Sequence, residues 1–225
     1  MASSFYMGLE ETLSHQVDYY RRRAPEYDET SLGDTEASRR RFAEIVDRLD
    51  PTGDLLEIAC GTGLWTRHLI RRAQSFTALD SSPEMIQLAR SRCGDRSPTF
   101  ILADVFNWEP DRRYDSVFFG FWLSHVPPQR FAAFWKLAEH CLAPGGRVLF
   151  VDEGPPRAIN DPAAADSPVV KRQLRDGTIH EIVKIFYDPD ELLGKLADLG
   201  WTADIELNGE GLLIGTARPE EPPAD

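Results

Sequence analysis

The 225-residue sequence has few cysteines, no long apolar run and a shortage of positive charge. Its three cysteines, Cys60, Cys93 and Cys141, are an odd number without metal-ligand spacing, so we expect reduced thiols and no bound metal. No stretch has the length and apolarity needed to span a bilayer, and the N-terminus lacks the basic-then-apolar plan of a signal peptide. These absences predict a cytoplasmic protein with no membrane partner.

Acidic residues outnumber basic ones, with 37 Asp and Glu against 25 Lys and Arg, which gives a formal net charge of −12. This charge repels the phosphates of nucleic acids and acidic membranes, so neither is a good candidate substrate. A content of 42% hydrophobic and 28% charged residues is typical of a globular domain, and the length suits a single one. We therefore expect a monomer or homodimer that acts on a small molecule.

The most informative motif is residues 55–66, where an apolar run containing Glu57 leads into a loop with Gly61 and Gly63. Glycine lets a ligand lie against the main chain, and the free N–H groups of a following helix can hold a polar or anionic group. Dinucleotides and S-adenosylmethionine both suit such a loop. The dinucleotide pattern has a third glycine where this sequence has Thr66. The Glu57 carboxylate also suits an amino group and a sulfonium better than a pyrophosphate, so S-adenosylmethionine is favoured.

Acidic residues also end the next two predicted strands. Residues 76–80 end in Asp80, whose carboxylate can accept hydrogen bonds from both ribose hydroxyls, and the serine and proline that follow are typical of a helix start. Residues 99–104 end in Asp104, which is placed to accept from an adenine amino group. Strand and helix patterns alternate as far as residue 150, which predicts parallel strands with helices on both faces.

Together with the strand at 114–119 and the segment 142–150, these motifs resemble the class I S-adenosylmethionine-dependent methyltransferases over residues 40–215. The resemblance implies a Rossmann-like α/β fold whose seven-stranded, mostly parallel sheet has helices on both faces. It also implies S-adenosylmethionine as cofactor and S-adenosylhomocysteine as product. Ala59 replaces a glycine that many members carry, which is a small change. The positions implied to contact the cofactor are Tyr20, Glu57, Ala59, Cys60, Gly61, Gly63, Trp65, Asp80, Ser81, Met85, Asp104, Val105 and Phe119.

Residues 9–23 have helical spacing and end before Pro25, whereas residues 1–8 are expected to be loose. Because this helix precedes the first sheet strand, it is free to cover the ligand crevice, so we assign residues 1–34 to an N-terminal helical lid. Tyr27 is the leading candidate there for a role in the site, and packing on the sheet edge is the alternative. Residues 35–218 should form the methyltransferase domain, and residues 219–225 a disordered tail.

The fourth predicted strand continues into a loop that contains Trp122 and His125. Ligands of open parallel sheets lie beyond the carboxyl ends of the strands, so this loop should face the transferred methyl group. His125 is a candidate general base for a hydroxyl acceptor, and the alternative is that it only positions the loop or a ligand. We name His125 and Tyr27 as catalytic candidates and expect both, with Trp122, to line the acceptor site.

Residues 155–187 are an insertion in which two β-prone runs flank Asp176-Gly177, a pattern that predicts a hairpin. A two-residue turn would place Arg172 opposite Glu181. A three-residue loop ending at the glycine would instead place Lys171 opposite Glu181. We favour the three-residue register because it balances Glu181 with Lys171.

The favoured register also places Arg172 opposite His180, with Lys184 on the same face. Arginine grips a phosphonate or carboxylate in a fork and lysine adds a compact charge, so this cluster predicts an anion site over the crevice.

The order of motifs along nearly the whole chain, including Tyr-Tyr-x-x-Arg-Ala-x-Glu-Tyr-Asp from Tyr19, is similar to the bacterial phosphonate O-methyltransferases of antibiotic biosynthesis. The similarity implies that Arg172 and Lys184 hold the phosphonate and that Tyr27 and His125 line its pocket. Three other functions stay open. They are methylation of a small carboxylate, phenol or amine, a nicotinamide-dependent oxidoreductase, and a non-catalytic S-adenosylmethionine-binding protein.

Overall fold

The structure is a computed structural model that describes residues 2–31, 33–94, 96, 98–161, 164 and 167–220, with the backbone alone at 2–7 and 158–160. Its strands are β1 (Asp54–Ile58), β2 (Ser75–Asp80), β3 (Thr99–Leu102), β4 (Tyr114–Gly120), β5 (Leu142–Glu153), β6 (Val169–Gln173), β7 (Ile179–Val183), β8 (Trp201–Leu207) and β9 (Leu212–Pro219). Its α-helices are α1 (Ala2–Arg23), α2 (Tyr27–Thr30), α3 (Glu36–Leu49), α4 (Thr66–Leu69), α5 (Pro83–Arg92), α6 (Phe131–Cys141) and α7 (Pro189–Ala197).

The described strands form a seven-stranded sheet in the order β3-β2-β1-β4-β5-β9-β8, together with the separate two-stranded hairpin β6-β7. β1 to β5 are parallel, and β9 runs antiparallel to both of its neighbours, so the predicted mostly parallel sheet is confirmed. Strand order reverses between β1 and β4. The crevice at this reversal, beyond the carboxyl ends of the strands, is the place where such sheets bind ligands.

Buried side chains cover both faces of the sheet, which is why the central strands read as nearly continuous apolar runs. One cluster packs Trp135 of α6 against Phe119 and Phe150. The other packs Phe42 of α3 against Trp65, with ring centroids 4.3 Å apart. The sheet is therefore fixed between two helical layers, and the ends of its strands are held rigidly around the crevice.

The predicted boundaries need two corrections, one at each end of the chain. α1 begins at Ala2 and not at Leu9, since the chain before Leu9 contains no proline and each added helical residue contributes one further backbone bond. The expected tail also starts too early, because β9 extends to Pro219, whose Cα pairs with that of Trp201. Residues 221–225 of that expected tail lie outside the described residues.

The hairpin adopts the predicted three-residue register. Arg172 lies opposite His180, and Lys171 lies opposite Glu181. The Leu174 N–H donates to the Thr178 carbonyl at 3.0 Å, and the loop between them ends at a glycine with a φ of +87°. A positive φ is expected at that position of a three-residue hairpin loop, so the loop that forms here sets which side chains share a face.

The two glycines of the first loop provide a matched test of this backbone. Gly61 and Gly63 both have positive φ, but a Cβ on Gly63 would lie 2.8 Å from the Ala89 Cα, whereas one on Gly61 meets nothing within 4 Å. Left-handed backbone costs an alanine about 1–2 kcal/mol, and overpacking adds about 1–3 kcal/mol. Gly63→Ala should therefore lower the free energy of unfolding by about 2–5 kcal/mol and Gly61→Ala by about 1–2 kcal/mol.

Urea unfolding of both variants without ligand measures this difference. Equal losses would show that α5 moves aside for the added methyl group and that the close approach to Ala89 is not required.

Candidate active site

A cavity of about 280 Å³ lies at the strand-order reversal, between the first glycine loop and the N-terminal helix α1. Its wall contains most of the positions expected to contact the cofactor, namely Tyr20, Ala59, Gly61, Asp80, Ser81, Met85, Asp104 and Val105. The loop enters this wall through Ala59, which has a φ of +54°. An alanine in the left-handed region is strained, so the replacement of glycine here carries a conformational cost.

Asp80 fits the predicted ribose contact. Its side chain is buried, and its two carboxylate oxygens accept from the Gly61 and Ser82 N–H groups at 2.8 and 2.9 Å. Each carboxylate oxygen has a second lone pair, so the group can still accept from hydroxyls in the cavity. Asp104 is exposed and caps a short 3₁₀ helix at the same cavity, where it accepts from the Phe106 N–H. The acceptors and the glycine wall suit S-adenosylmethionine at this site.

Glu57 does not line the cavity, although the sequence predicted that it contacts the ligand directly. Its carboxylate is 1% exposed and accepts from the Thr66 hydroxyl at 2.6 Å. Burial raises the pKa of Glu57 to about 8. Glu57 therefore ties β1 to the start of α4 and supports the glycine loop from behind.

Four other predicted cofactor contacts also lie outside the cavity wall: Cys60, Gly63, Trp65 and Phe119. The side chains of Cys60, Trp65 and Phe119 are buried in the core, and Phe119 stacks on Phe150. Gly63 lies against Ala89 of α5. Phe119 lies in β4, where side chains alternate between the two faces of the sheet, so a residue near the ligand along the chain can still face a helical layer.

A second cavity of about 430 Å³ adjoins the first, and Tyr20, Tyr27, Phe121 and His125 line both. The described residues of its wall include four cations, Arg23, Arg157, Arg172 and Lys184, and two carboxylates, Glu153 and Asp161. The two cavities therefore meet at these four residues, and the second has a cationic wall. Arg172 and Lys184 lie in this wall, as the favoured hairpin register predicts.

The cations of the second cavity already have partners in the protein. The Lys184 ammonium lies 2.6 Å from a Glu153 oxygen and 3.2 Å from the Ser124 hydroxyl. Arg172 pairs with Asp161. Each carboxylate offsets one positive charge and orients its partner, and two positive charges in excess of the carboxylates remain among the described wall residues.

His125 connects the hairpin to helix α1. Its Nδ1 lies 2.6 Å from the Val183 carbonyl oxygen, and its Nε2 lies 2.8 Å from the Tyr20 hydroxyl. Burial, with the nearby charge of Lys184, holds the pKa of His125 well below its usual value. The imidazole is therefore neutral at neutral pH.

Two of the residues predicted to bind the acceptor lie elsewhere. His180 is buried beside Tyr19, with ring centroids 5.8 Å apart, and does not line the second cavity. Trp122 lines only the first cavity, close to Phe106 near Asp104. Arg172 and His180 do lie opposite each other in the hairpin, but α1 packs over His180 and removes it from the cavity.

Sequence reasoning missed Gln16 and Asp152. The Gln16 side chain is buried and makes two long-range bonds: it donates to the His125 carbonyl at 3.1 Å and accepts from the Val183 N–H at 2.9 Å. Asp152, at the end of β5, is 1% exposed and accepts from the Ser124 N–H at 2.9 Å. The one sequence signal for a role of Asp152 is its place near the carboxyl end of β5.

The part of the chain that the structure describes contains no group of three or more His, Cys, Asp and Glu side chains that could hold a metal ion. None of its helices combines the length and apolar character required to cross a membrane.

Comparison with known proteins gives matches at two levels. Residues 55–146 match the family model described as a methyltransferase domain. Two solved structures of DhpI match almost the whole chain. The complex of DhpI with S-adenosylhomocysteine is 40% identical, with a TM-score of 0.83, and covers 94% of this chain and 98% of that one. The complex of DhpI with S-adenosylmethionine and HEP is 42% identical, with a TM-score of 0.81, and covers 93% and 98%.

Curated relatives match over shorter regions. Demethylmenaquinone methyltransferase of Tropheryma whipplei (strain Twist) is 31% identical over 142 residues, which are 61% of this chain and 59% of the relative. Malonyl-[acyl-carrier protein] O-methyltransferase 1 of Ilyobacter polytropus is 31% identical over 103 residues, 43% of this chain and 37% of the relative. The matched region thus spans between 37% and 59% of these two relatives' own length.

Proposed function

The chain belongs to the class I S-adenosylmethionine-dependent methyltransferases, and from this premise we propose that it transfers a methyl group to an oxygen of a small anionic acceptor, best fitted by a phosphonate. A place in natural-product biosynthesis, such as that of an antibiotic, is part of the proposal. It is supported by the similarity to DhpI and by the motif order shared with the phosphonate O-methyltransferases.

The observation that carries the proposal is the cationic cavity adjoining the cofactor cavity. Arg172 and Lys184 reach it from the hairpin insertion, while Arg23 reaches it from α1. The chain as a whole carries a net charge of −12, so this local excess of positive charge runs against the surrounding potential. Such a site favours an anion over a neutral phenol or an amine.

The reaction mainly requires that the methyl donor and the acceptor oxygen be aligned. S-adenosylmethionine supplies a methyl group on a positively charged sulfur, and its transfer to an anionic oxygen neutralises both partners, so exclusion of water favours the reaction. Arg172 and Lys184 should hold the acceptor oxygens that do not react, because strong bonds to the attacking oxygen would weaken it as a nucleophile. Tyr27, at the junction of the two cavities, closes the space from the lid side.

A small carboxylate is the main rival acceptor, since the same cations would bind it. Curated relatives with different acceptors in their names show that the family motifs leave the acceptor open. A nicotinamide-dependent oxidoreductase is disfavoured because Thr66, in place of the third glycine, holds Glu57.

The proposal is tested by incubating the protein and S-adenosylmethionine with matched small phosphonates, carboxylates and phenols and reading the products by mass spectrometry. We expect methyl esters of phosphonates to form fastest. Methylation of phenols in preference to every acid would overturn the anionic acceptor.

The lowered pKa of His125 gives a prediction about the pH dependence. An ionised acid needs no proton removed, so His125→Ala should lower kcat by less than about 10-fold, whereas loss of a general base would cost about 10²–10⁴-fold. Because the imidazole of the folded protein is already neutral near pH 7, its titration should not appear in the rate profile between pH 6.5 and 9.

Steady-state rates of the wild type and His125→Ala across that pH range measure this. The same lowered pKa also affects folding. The free energy of unfolding should decrease as the pH falls below about 6.5, the ordinary histidine pKa that applies to the unfolded chain, because the ring takes up a proton when the protein unfolds. A loss of 10²-fold or more at pH 7 that recovers as the pH rises would favour a hydroxyl acceptor with His125 as its base.

A further inference from the structure

The Tyr20 hydroxyl occupies the junction between the two cavities. Tyr20 lines both of them, and its oxygen lies 2.8 Å from Nε2 of His125. A hydroxyl at such a position can present either its proton or its lone pairs to the space around it. Which of the two faces the junction depends on His125.

The hydrogen bonds of His125 determine that choice. The Val183 carbonyl oxygen can only accept, so the Nδ1 that lies 2.6 Å from it carries a proton. In the neutral ring Nε2 then has a lone pair and no proton, and the hydroxyl of Tyr20 must be the donor in the bond between them. Its proton is thereby committed to His125, and the oxygen has only lone pairs left for the cavities.

Two neighbours hold this arrangement in place. Gln16 bonds both the His125 carbonyl and the Val183 N–H, which fixes the loop and the hairpin at one spacing. Lys184 follows Val183 directly, and its positive charge opposes a second charge on the imidazole. The charged groups that act on His125 from the packed elements are Lys184, Arg23 and Arg172, all of them cations that disfavour a charged ring. Tyr20 and Gln16 contact the residue as neutral partners.

We propose that Tyr20, with its proton held by His125, directs its oxygen lone pairs at the sulfonium and methyl of S-adenosylmethionine and so binds the methyl donor in preference to the demethylated product. This inference rests on the cofactor of the proposed function and not on its acceptor. The donor carries a positively charged sulfur whose attached C–H groups are polarised, and both are attracted to an oxygen lone pair, whereas the sulfur of S-adenosylhomocysteine is neutral and has no methyl group. Tyr20 contacts the cofactor in this scheme, and His125 is a positioning residue that acts through Tyr20.

The test compares two ligands by titration calorimetry without any acceptor. For Tyr20→Phe, the affinity for S-adenosylmethionine relative to that for S-adenosylhomocysteine should fall by about 3- to 10-fold, the scale of a few weak hydrogen bonds. The affinity for S-adenosylhomocysteine should stay near that of the wild type. Tyr19→Phe is the matched control, because Tyr19 lines only the second cavity, and it should leave the ratio unchanged.

His125→Leu tests the positioning step. Without its acceptor, the Tyr20 proton is free to turn toward the cavity, so the ratio should fall at least as far as in Tyr20→Phe. Adding Tyr20→Phe to this variant should cause no further fall, because both changes act through one oxygen. In the unliganded wild type, ¹⁵N chemical shifts should show the His125 proton on Nδ1 at pH 7.

If Tyr20→Phe leaves the ratio of the two affinities unchanged, even with both ligands bound more weakly, the inference is overturned. A proton on Nε2 of His125 in the wild type would overturn it as well. The outcome is separate from that of the acceptor screen. Phosphonate methylation with an unchanged ratio removes the role of Tyr20 alone, and a shifted ratio without phosphonate methylation leaves that role standing while removing the acceptor.

Discussion

Arg172→Ala and Lys184→Met should each lower kcat/KM for the acceptor by about 10- to 1,000-fold, the equivalent of roughly 1.5–4 kcal/mol of lost charge-assisted contacts. Both side chains line the cationic cavity, and Lys184 is only 6% exposed. Each loss also leaves a carboxylate, Asp161 or Glu153, beside the acceptor without its partner. Repulsion between that carboxylate and the acceptor adds to the effect. Affinity for S-adenosylmethionine should stay near wild type, because neither residue lines the first cavity.

The hairpin supplies a matched control. Lys171 precedes Arg172 in the same strand, but its side chain is 74% exposed and pairs across the strands with Glu181. Lys171→Ala removes the same unit of charge and should leave acceptor kinetics unchanged.

A double variant separates the lost contact from the repulsion. Glu153→Gln added to Lys184→Met removes the carboxylate that Lys184 leaves behind, so it should recover part of the loss. Losses of equal size in the Lys171 and Arg172 variants would show that charge on the hairpin acts at long range and that no anion site is formed there.

Asp80→Asn should weaken S-adenosylmethionine binding by about 1.5–3 kcal/mol, or roughly 10- to 150-fold, the scale of hydrogen bonds to a charged group. The substitution keeps the volume of the side chain, but it replaces one accepting oxygen by an NH₂ group. The NH₂ group cannot accept a hydrogen bond, so either a loop N–H, from Gly61 or Ser82, or a ribose hydroxyl loses its acceptor. Calorimetry measures the change in affinity.

Two controls accompany the affinity measurement on Asp80→Asn. Thermal unfolding of the unliganded variant shows whether the glycine loop still folds, because the carboxylate also accepts the Gly61 N–H. Asp47→Asn removes one exposed charge that pairs with Arg72 outside the site, and it should leave the affinity unchanged. Unaltered binding in a folded Asp80→Asn protein would move the ribose contact to another residue.

Much of the site was predictable because its residues come directly after strands of the parallel sheet. The glycine loop, Asp80 and Asp104 follow the ends of parallel strands, and those ends meet at one edge of the sheet in this topology. The sequence only favoured one hairpin register. The Asp176-Gly177 pair suits a two-residue turn or a three-residue loop, and the pairing of Glu181 with Lys171 favoured the three-residue loop that the structure adopts.

Two of the predicted cofactor positions lie outside the cavity wall for the same reason. Glu57 and Phe119 belong to central strands of the sheet, but their side chains point to Thr66 or into the core. Because central parallel strands are apolar on both faces, the sequence shows no alternation from which the inward and outward positions could be assigned. The sequence also gave no sign that α1 would cover His180, because a hairpin face says nothing about which helix packs over it.

The sequence by itself determined the class of fold and the cofactor, since both depend on local backbone geometry or on residues a few positions apart, and it favoured the hairpin register that the structure adopts. Tertiary structure alone decided the electrostatics and the polarity of the site. Glu153 and Lys184 are 31 positions apart, and Gln16 and Val183 are 167 apart. Tyr20 and His125 come from elements separated by 105 residues. Contacts of this kind leave no periodic pattern in the chain, because they depend on how the lid helix, the sheet and the hairpin pack together in three dimensions.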